Sequence, residues 1–99
     1  MAYYLDWADI AREDLRDIVL YIKKENPDAA RKVGYGIVER LEQAADFPCQ
    51  GRKIPEIGQE AFREVLLSPY RLPYQIIEEE KKIVAIRVWH AKRGDLKLK

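Results

Sequence analysis

A chain of 99 residues, 47% hydrophobic and 35% charged, is long enough for one domain (1–99) with a core of its own, needing neither disulfides nor a metal to hold it together. No apolar run approaches the roughly 20 residues of a membrane span. The N-terminus lacks a basic-then-apolar leader, and Cys49 is the single cysteine, so a cytoplasmic protein away from the membrane is expected. The net charge of +1 hides a split: residues 1–60 hold 9 Lys/Arg against 12 Asp/Glu, and residues 61–99 hold 9 against 5. The basic C-terminal part suits an acidic partner or a phosphate backbone.

Tyr3–Trp7 reads as a short strand, with Tyr3, Leu5 and Trp7 on one parity. Asp6 or Asp9 is expected to cap the helix that follows, in which Ala11, Leu15, Ile18 and Ile22 form an apolar stripe. Pro27 stops that helix near Glu25, and Asn26-Pro27 starts the next one. Ala30, Val33, Ile37, Leu41 and Ala44 line the second helix to about Asp46, with Gly34 and Gly36 suited to close packing against the first. The two form an antiparallel hairpin. Phe47–Glu60, with Pro48, Gly51, Pro55 and Gly58, has no sustained period and reads as a loop.

Three β-type runs follow, Phe62–Leu67, Arg71–Glu78 and Lys82–His90, separated by short turns, which makes an antiparallel meander. Val84, Ile86 and Val88 share a parity and are expected to face the helices, leaving Arg87 and Trp89 on the opposite face. Pro73 cannot donate to a ladder and marks an irregularity. The tail from Gly94 is too short for a packed helix. The order β-α-α-β-β-β is an α+β domain with a helical hairpin on one face of a mainly antiparallel sheet.

The meander carries the candidate binding surface: Arg63, Tyr70, Arg71, Tyr74, Arg87, Trp89, His90 and Arg93. Trp and Arg are favoured anchors of interfaces. Each has a plainer structural role open to it: Arg71 paired with Glu64 or bonded to turn carbonyls, His90 at the edge of the core, Trp89 covered by the first strand or by Tyr74. Arg52 and Lys53 suit a phosphate or a solvated loop. One His and one Cys make no metal cluster, no phosphate-binding glycine loop is present, and no cofactor is expected.

The order and spacing of Trp7, Ala11, Asp14-Leu15, Ile18, Tyr21-Ile22, Asn26-Pro27, Ala29-Ala30, Val33, Ile37 and Leu41 resemble the ParE/RelE superfamily of toxins from type II toxin–antitoxin modules. Phe47-Pro48, Gly51-Arg52, Arg63-Glu64, Pro69-Tyr70-Arg71, Tyr74 and Val88-x-His90-x-x-Arg93 extend the resemblance almost to the C-terminus. It implies a plasmid-stabilisation type toxin neutralised by a cognate antitoxin that wraps around its helices and sheet. The helical segment and the Val88-x-His90-x-x-Arg93 ending look more like the ParE branch, whose implied target is DNA gyrase and whose members are not known as enzymes.

The RelE branch implies the alternative, a ribosome-dependent mRNA endonuclease. Such cleavage needs a base, a cationic clamp and an acid. Arg71 matches the turn arginine of RelE, but Phe62 and Glu64 stand where lysines belong and Lys97 falls near the tyrosine position. In a YoeB-like arrangement Glu56, Arg71 and His90 fill the roles of base, clamp and acid, with Ala91 in place of the tyrosine that follows the histidine. A relative that has lost toxicity and only binds antitoxin is the third possibility.

Overall fold

The computed structural model describes residues 2–97. Strand β1 (Tyr4–Trp7) leads into helices α1 (Asp9–Lys23) and α2 (Pro27–Asp46). The strands β2 (Arg52–Lys53), β3 (Phe62–Leu67), β4 (Tyr70–Ile77), β5 (Lys82–Ala85) and β6 (Trp89–His90) follow. No helix is long and apolar enough to cross a membrane among these residues.

Asn26 caps α2 as its short side chain predicts: Oδ1 accepts the Ala29 N–H at 3.0 Å, and Pro27 occupies the first turn. Neither Asp6 nor Asp9 caps α1. Ala8, held by its N–H on the Ala85 carbonyl at 2.9 Å, takes the cap position and has no side-chain acceptor to offer. Asp6 turns back to accept the Trp7 N–H, and Asp9 lies in the first turn, facing the positive end of the helix dipole.

The sheet order is β1-β5-β4-β3-β2, with β6 pairing β4 beyond the end of β5. Only β1 and β5 run parallel; the remaining pairs are antiparallel. The helices cover one face. Ala11, Ile37, Leu41, Ala44 and Ala45 meet Val65, Leu72, Tyr74, Ile76, Ile83 and Ala85 there, in the main core. Close approach explains both helical glycines: a Cβ on Gly34 would lie 3.2 Å from Val19 of α1, and one on Gly36 would lie 3.1 Å from Leu67 of β3. Gly34 thus serves the helical hairpin, as expected, whereas Gly36 serves the helix–sheet contact.

The run Lys82–His90, expected as one strand, is two. Tyr74 stands opposite Ala85 and Arg71 opposite Trp89, so β4 advances by three residues while its partner advances by four. The extra residue is a bulge, and a bulge reverses the side-chain parity. Ile83 and Ala85 face the helices before it and Val88 after it, so the expected inward set Val84, Ile86 and Val88 is corrected to Ile83, Ala85 and Val88. Pro73 lies directly across from the irregularity. Its carbonyl accepts the Ile86 N–H at 2.9 Å. The donor it lacks would point to that same side, where a regular strand would have needed it.

The opposite face carries a second, smaller core. Ile54, Trp89 and Leu96 pack there with Ile57 and Phe62, so the loop before β3 and the C-terminal tail fold over the end of the sheet.

Candidate functional site

Arg71 enters β4 next to the β3–β4 turn and projects onto the face away from the helices. Its Nε donates to Glu64 Oε1 at 2.9 Å. Its two terminal nitrogens donate to both oxygens of Glu56, at 2.8 and 2.7 Å. The Glu64 side chain has no exposed surface and receives Arg52 as well. Four groups therefore form one chain, Arg52–Glu64–Arg71–Glu56, with alternating and balanced charge. This arrangement satisfies a carboxylate that would otherwise be costly to bury. Glu56 also accepts the Leu96 N–H at 2.7 Å. The bonds from Arg71 hold its carboxyl down to about 2, with the Leu96 N–H adding to the effect. Two carboxylates in turn raise the Arg71 guanidinium above its ordinary range, Glu56 contributing most.

Arg87 and Trp89 are not the open binding face expected of them. Only 6% of Arg87 and 2% of Trp89 are exposed. Arg87 donates to both oxygens of Asp14 on α1, at 2.7 and 3.0 Å, and to the Lys97 carbonyl at 3.0 Å. Asp14 also accepts the Val88 N–H at 3.0 Å, taking the place of a ladder partner inside the bulge. The Trp89 indole donates to the Gly94 carbonyl at 3.1 Å. It is covered by the tail and by Ile54, rather than by the first strand or Tyr74. The guanidinium of Arg93 lies 4.0 Å from the centre of its ring, a cation–π contact at the surface.

Tyr74 is likewise buried, in the main core. Its hydroxyl donates to the Pro48 carbonyl, and burial raises its pKa. A Cβ on Gly51 would lie 2.3 Å from that hydroxyl and 2.9 Å from the Glu64 carbonyl, so the loop is drawn in at the one position without a side chain. Arg63 holds the same loop, donating to the Gly51 carbonyl at 3.0 Å and to the Glu60 carboxylate at 2.6 Å. Arg63 and Tyr74 thus serve the fold. Tyr70 and His90 stand opposite each other on β4 and β6, with their rings edge to face at 5.4 Å. His90 Nδ1 accepts the Lys92 N–H at 3.1 Å.

Glu56 and Arg71 therefore meet, but His90 does not join them. The ladder sets Arg71 opposite Trp89 and Tyr70 opposite His90. Residues opposite one another share a face and neighbours along a strand alternate, so Arg71 and His90 lie on opposite faces of the sheet. The groove of about 430 Å³ beside Arg71 is lined by Arg52, Glu56, Ala91 and Asp95 and excludes the imidazole. The guanidinium of Arg71 is already taken up by Glu56 and Glu64, so it is not free to clamp a phosphate there. Among the described residues no group of three or more His, Cys, Asp or Glu side chains is placed to hold a metal ion. The sequence reading missed Asp14 as the partner of Arg87. A carboxylate on the core-facing side of an amphipathic helix, at a position that also carries the family resemblance, is its trace in the sequence.

A two-helix hairpin after the first strand, packed on one face of a mixed six-stranded sheet, is the RelE/ParE-like arrangement of an α+β domain; the expected β-α-α-β-β-β order gains the short β2 within the Phe47–Glu60 stretch and the division of the last run into β5 and β6. The chain belongs to the ParE toxin family: the family described as "ParE toxin of type II toxin-antitoxin system, parDE" matches residues 5–94. It is 33% identical over 88 residues to a Sinorhizobium fredii protein named "Putative toxin Y4kP", covering 86% of this chain and 84% of that one. Among solved structures, the chromosomal ParDE toxin–antitoxin system from P. aeruginosa superposes with a TM-score of 0.73 at 24% identity, covering 90% of this chain and 96% of that one. A free RelE toxin variant from E. coli gives 0.67 at 23% identity, covering 95% and 88%. The RelBE2 toxin–antitoxin complex from Mycobacterium tuberculosis gives 0.65 at 23%, covering 91% and 99%. At these identities the structural matches speak to the fold.

Proposed function

We propose that this toxin poisons DNA gyrase by binding it and is neutralised in the cytoplasm by a cognate antitoxin. The observation that carries the reading is the fate of Arg71: its guanidinium is committed to Glu56 and Glu64, with His90 on the other face of the sheet. Membership of the ParE toxin family favours the same target. An antitoxin segment fits the apolar groove of about 480 Å³ over Trp7, Leu15, Val19 and Val38, which Arg12 and Arg16 flank. Those two arginines favour an amphipathic segment with acidic edges.

An endoribonuclease reading keeps the support of one contact, Glu56 against Arg71. A carboxyl held near 2 is a poor base at neutral pH, however. Expression in bacteria without antitoxin separates the readings. Gyrase poisoning produces filaments, DNA-damage signalling and inhibition of supercoiling by the purified chain. Prompt translation arrest with cut mRNA, abolished by His90→Gln in a folded variant, would establish the endonuclease instead. No growth defect would mark an antitoxin-binding relative without toxicity.

A further inference from the structure

We propose that the cleft between the C-terminal half of α1 and the paired β4 and β6 strands receives an arginine side chain from a partner protein. The cleft holds about 330 Å³ and is lined by Asp17, Ile18, Tyr21, Ile22, Tyr70 and His90. Three of its features match the parts of an arginine. Ile18 and Ile22, one helical turn apart, provide an aliphatic wall for the methylene stem. Tyr21, exposed at the mouth, provides the aromatic surface on which a planar, weakly hydrated guanidinium stacks, while the mostly buried Tyr70 closes the floor with His90. Asp17, one turn before Tyr21, places a carboxylate at the rim.

The charge balance around the cleft supports this occupant. Asp14, the neighbouring acid on α1, is consumed by Arg87. Asp17 makes no salt bridge among the described residues. Arg93 lines the adjoining cavity with Asp14, Asp17 and His90, but its guanidinium is stacked over Trp89. Asp17 is therefore a carboxylate without a salt-bridge partner among the described residues at the edge of an aromatic cleft, open to a cation from a partner. The bond from the Lys92 N–H to His90 and the edge-to-face contact with Tyr70 fix the floor of the cleft in advance, so little ordering accompanies binding. This surface lies apart from the groove assigned to the antitoxin and does not depend on the gyrase reading.

The test uses the intact chain and two small probes, N-acetyl-arginine amide and the uncharged isostere N-acetyl-citrulline amide, followed by amide chemical shifts in NMR. The arginine probe is expected to shift residues 17, 21, 70 and 90 saturably. The citrulline probe should bind about tenfold more weakly, the equivalent of one charge-assisted hydrogen bond. Asp17→Asn should remove that preference. Tyr21→Ala, at a side chain 76% exposed, should weaken the arginine probe while leaving the fold intact. Equal binding of both probes, an unchanged preference in Asp17→Asn, or shifts centred elsewhere would overturn the proposal.

Discussion

Asp14 on α1 and Arg87 in the bulge between β5 and β6 form a two-point ion pair that ties the helical layer to the sheet where the sheet itself is irregular. The same carboxylate accepts the Val88 N–H, so one side chain neutralises a buried guanidinium and satisfies a backbone donor. The guanidinium is raised above its usual pKa chiefly by this carboxylate.

Asp14→Ala strands both groups. Arg87 keeps the Lys97 carbonyl and the face of Trp89 but no carboxylate, and a buried charge without its counter-ion is costly. The expected loss is roughly 2–4 kcal/mol, set slightly below the usual range for breaking a buried pair because Asp14 is partly exposed. Urea unfolding checks it, and a loss below about 1 kcal/mol would show that the pair is dispensable.

Gly51→Ala pushes a methyl group into the Tyr74 hydroxyl and the Glu64 carbonyl. Both belong to well-packed residues, so a cost of about 1–3 kcal/mol is expected. Gly58 has a positive φ of +70° with open space around it, and its replacement by Ala should cost about 1 kcal/mol through backbone conformation alone. Thermal melts of the two variants should rank them in that order, and Tyr74→Phe should relieve part of the Gly51→Ala penalty but none of the Gly58→Ala penalty.

The ion pair of Glu56 gives the fold an acid-labile component. Its folded pKa of about 2 lies below the ordinary 4.5. Its stabilisation is therefore fully present above pH 4.5 and fades as the pH falls toward 2. After allowance for solvent screening it amounts to about 1–2 kcal/mol. Glu56→Gln should be less stable than the wild type at pH 7 and approach it near pH 2. Parallel stability curves across that window would place the stabilisation elsewhere.

Leu96→Ala opens the small core around Trp89 and should cost about 2 kcal/mol, near the lower end for a buried leucine. In a Trp7→Phe background the fluorescence of Trp89 should move to longer wavelength as water reaches the ring. An unchanged spectrum would mean that the tail does not shield the indole.

Much of the fold was legible along the chain because its signals are local. The stripe Ala11–Ile22, the Asn26-Pro27 boundary and the alternation of Tyr3, Leu5 and Trp7 each depend on neighbours a few residues away. The ParE/RelE resemblance likewise drew on order and spacing. The expected parity of the last strand fails because a bulge interrupts it. Pro73 marked the irregularity, but its consequence falls on residues 86–88, which a proline in another strand affects only once the register is known.

The α+β class, the helical hairpin, the meander and the family can be read from the order of residues alone, since periodicity, caps and motif spacing are properties of short stretches and their order. What the charged and aromatic side chains of the meander do is settled by packing between distant segments. Arg71 and Arg87 look alike as exposed cations on strands, yet each is closed by carboxylates, Glu56 and Glu64 for one and Asp14 for the other. Between Arg87 and Asp14 the chain separation is 73 residues. Burial demands that such charges be paired, but which residue pairs them is a property of packing that no local pattern encodes.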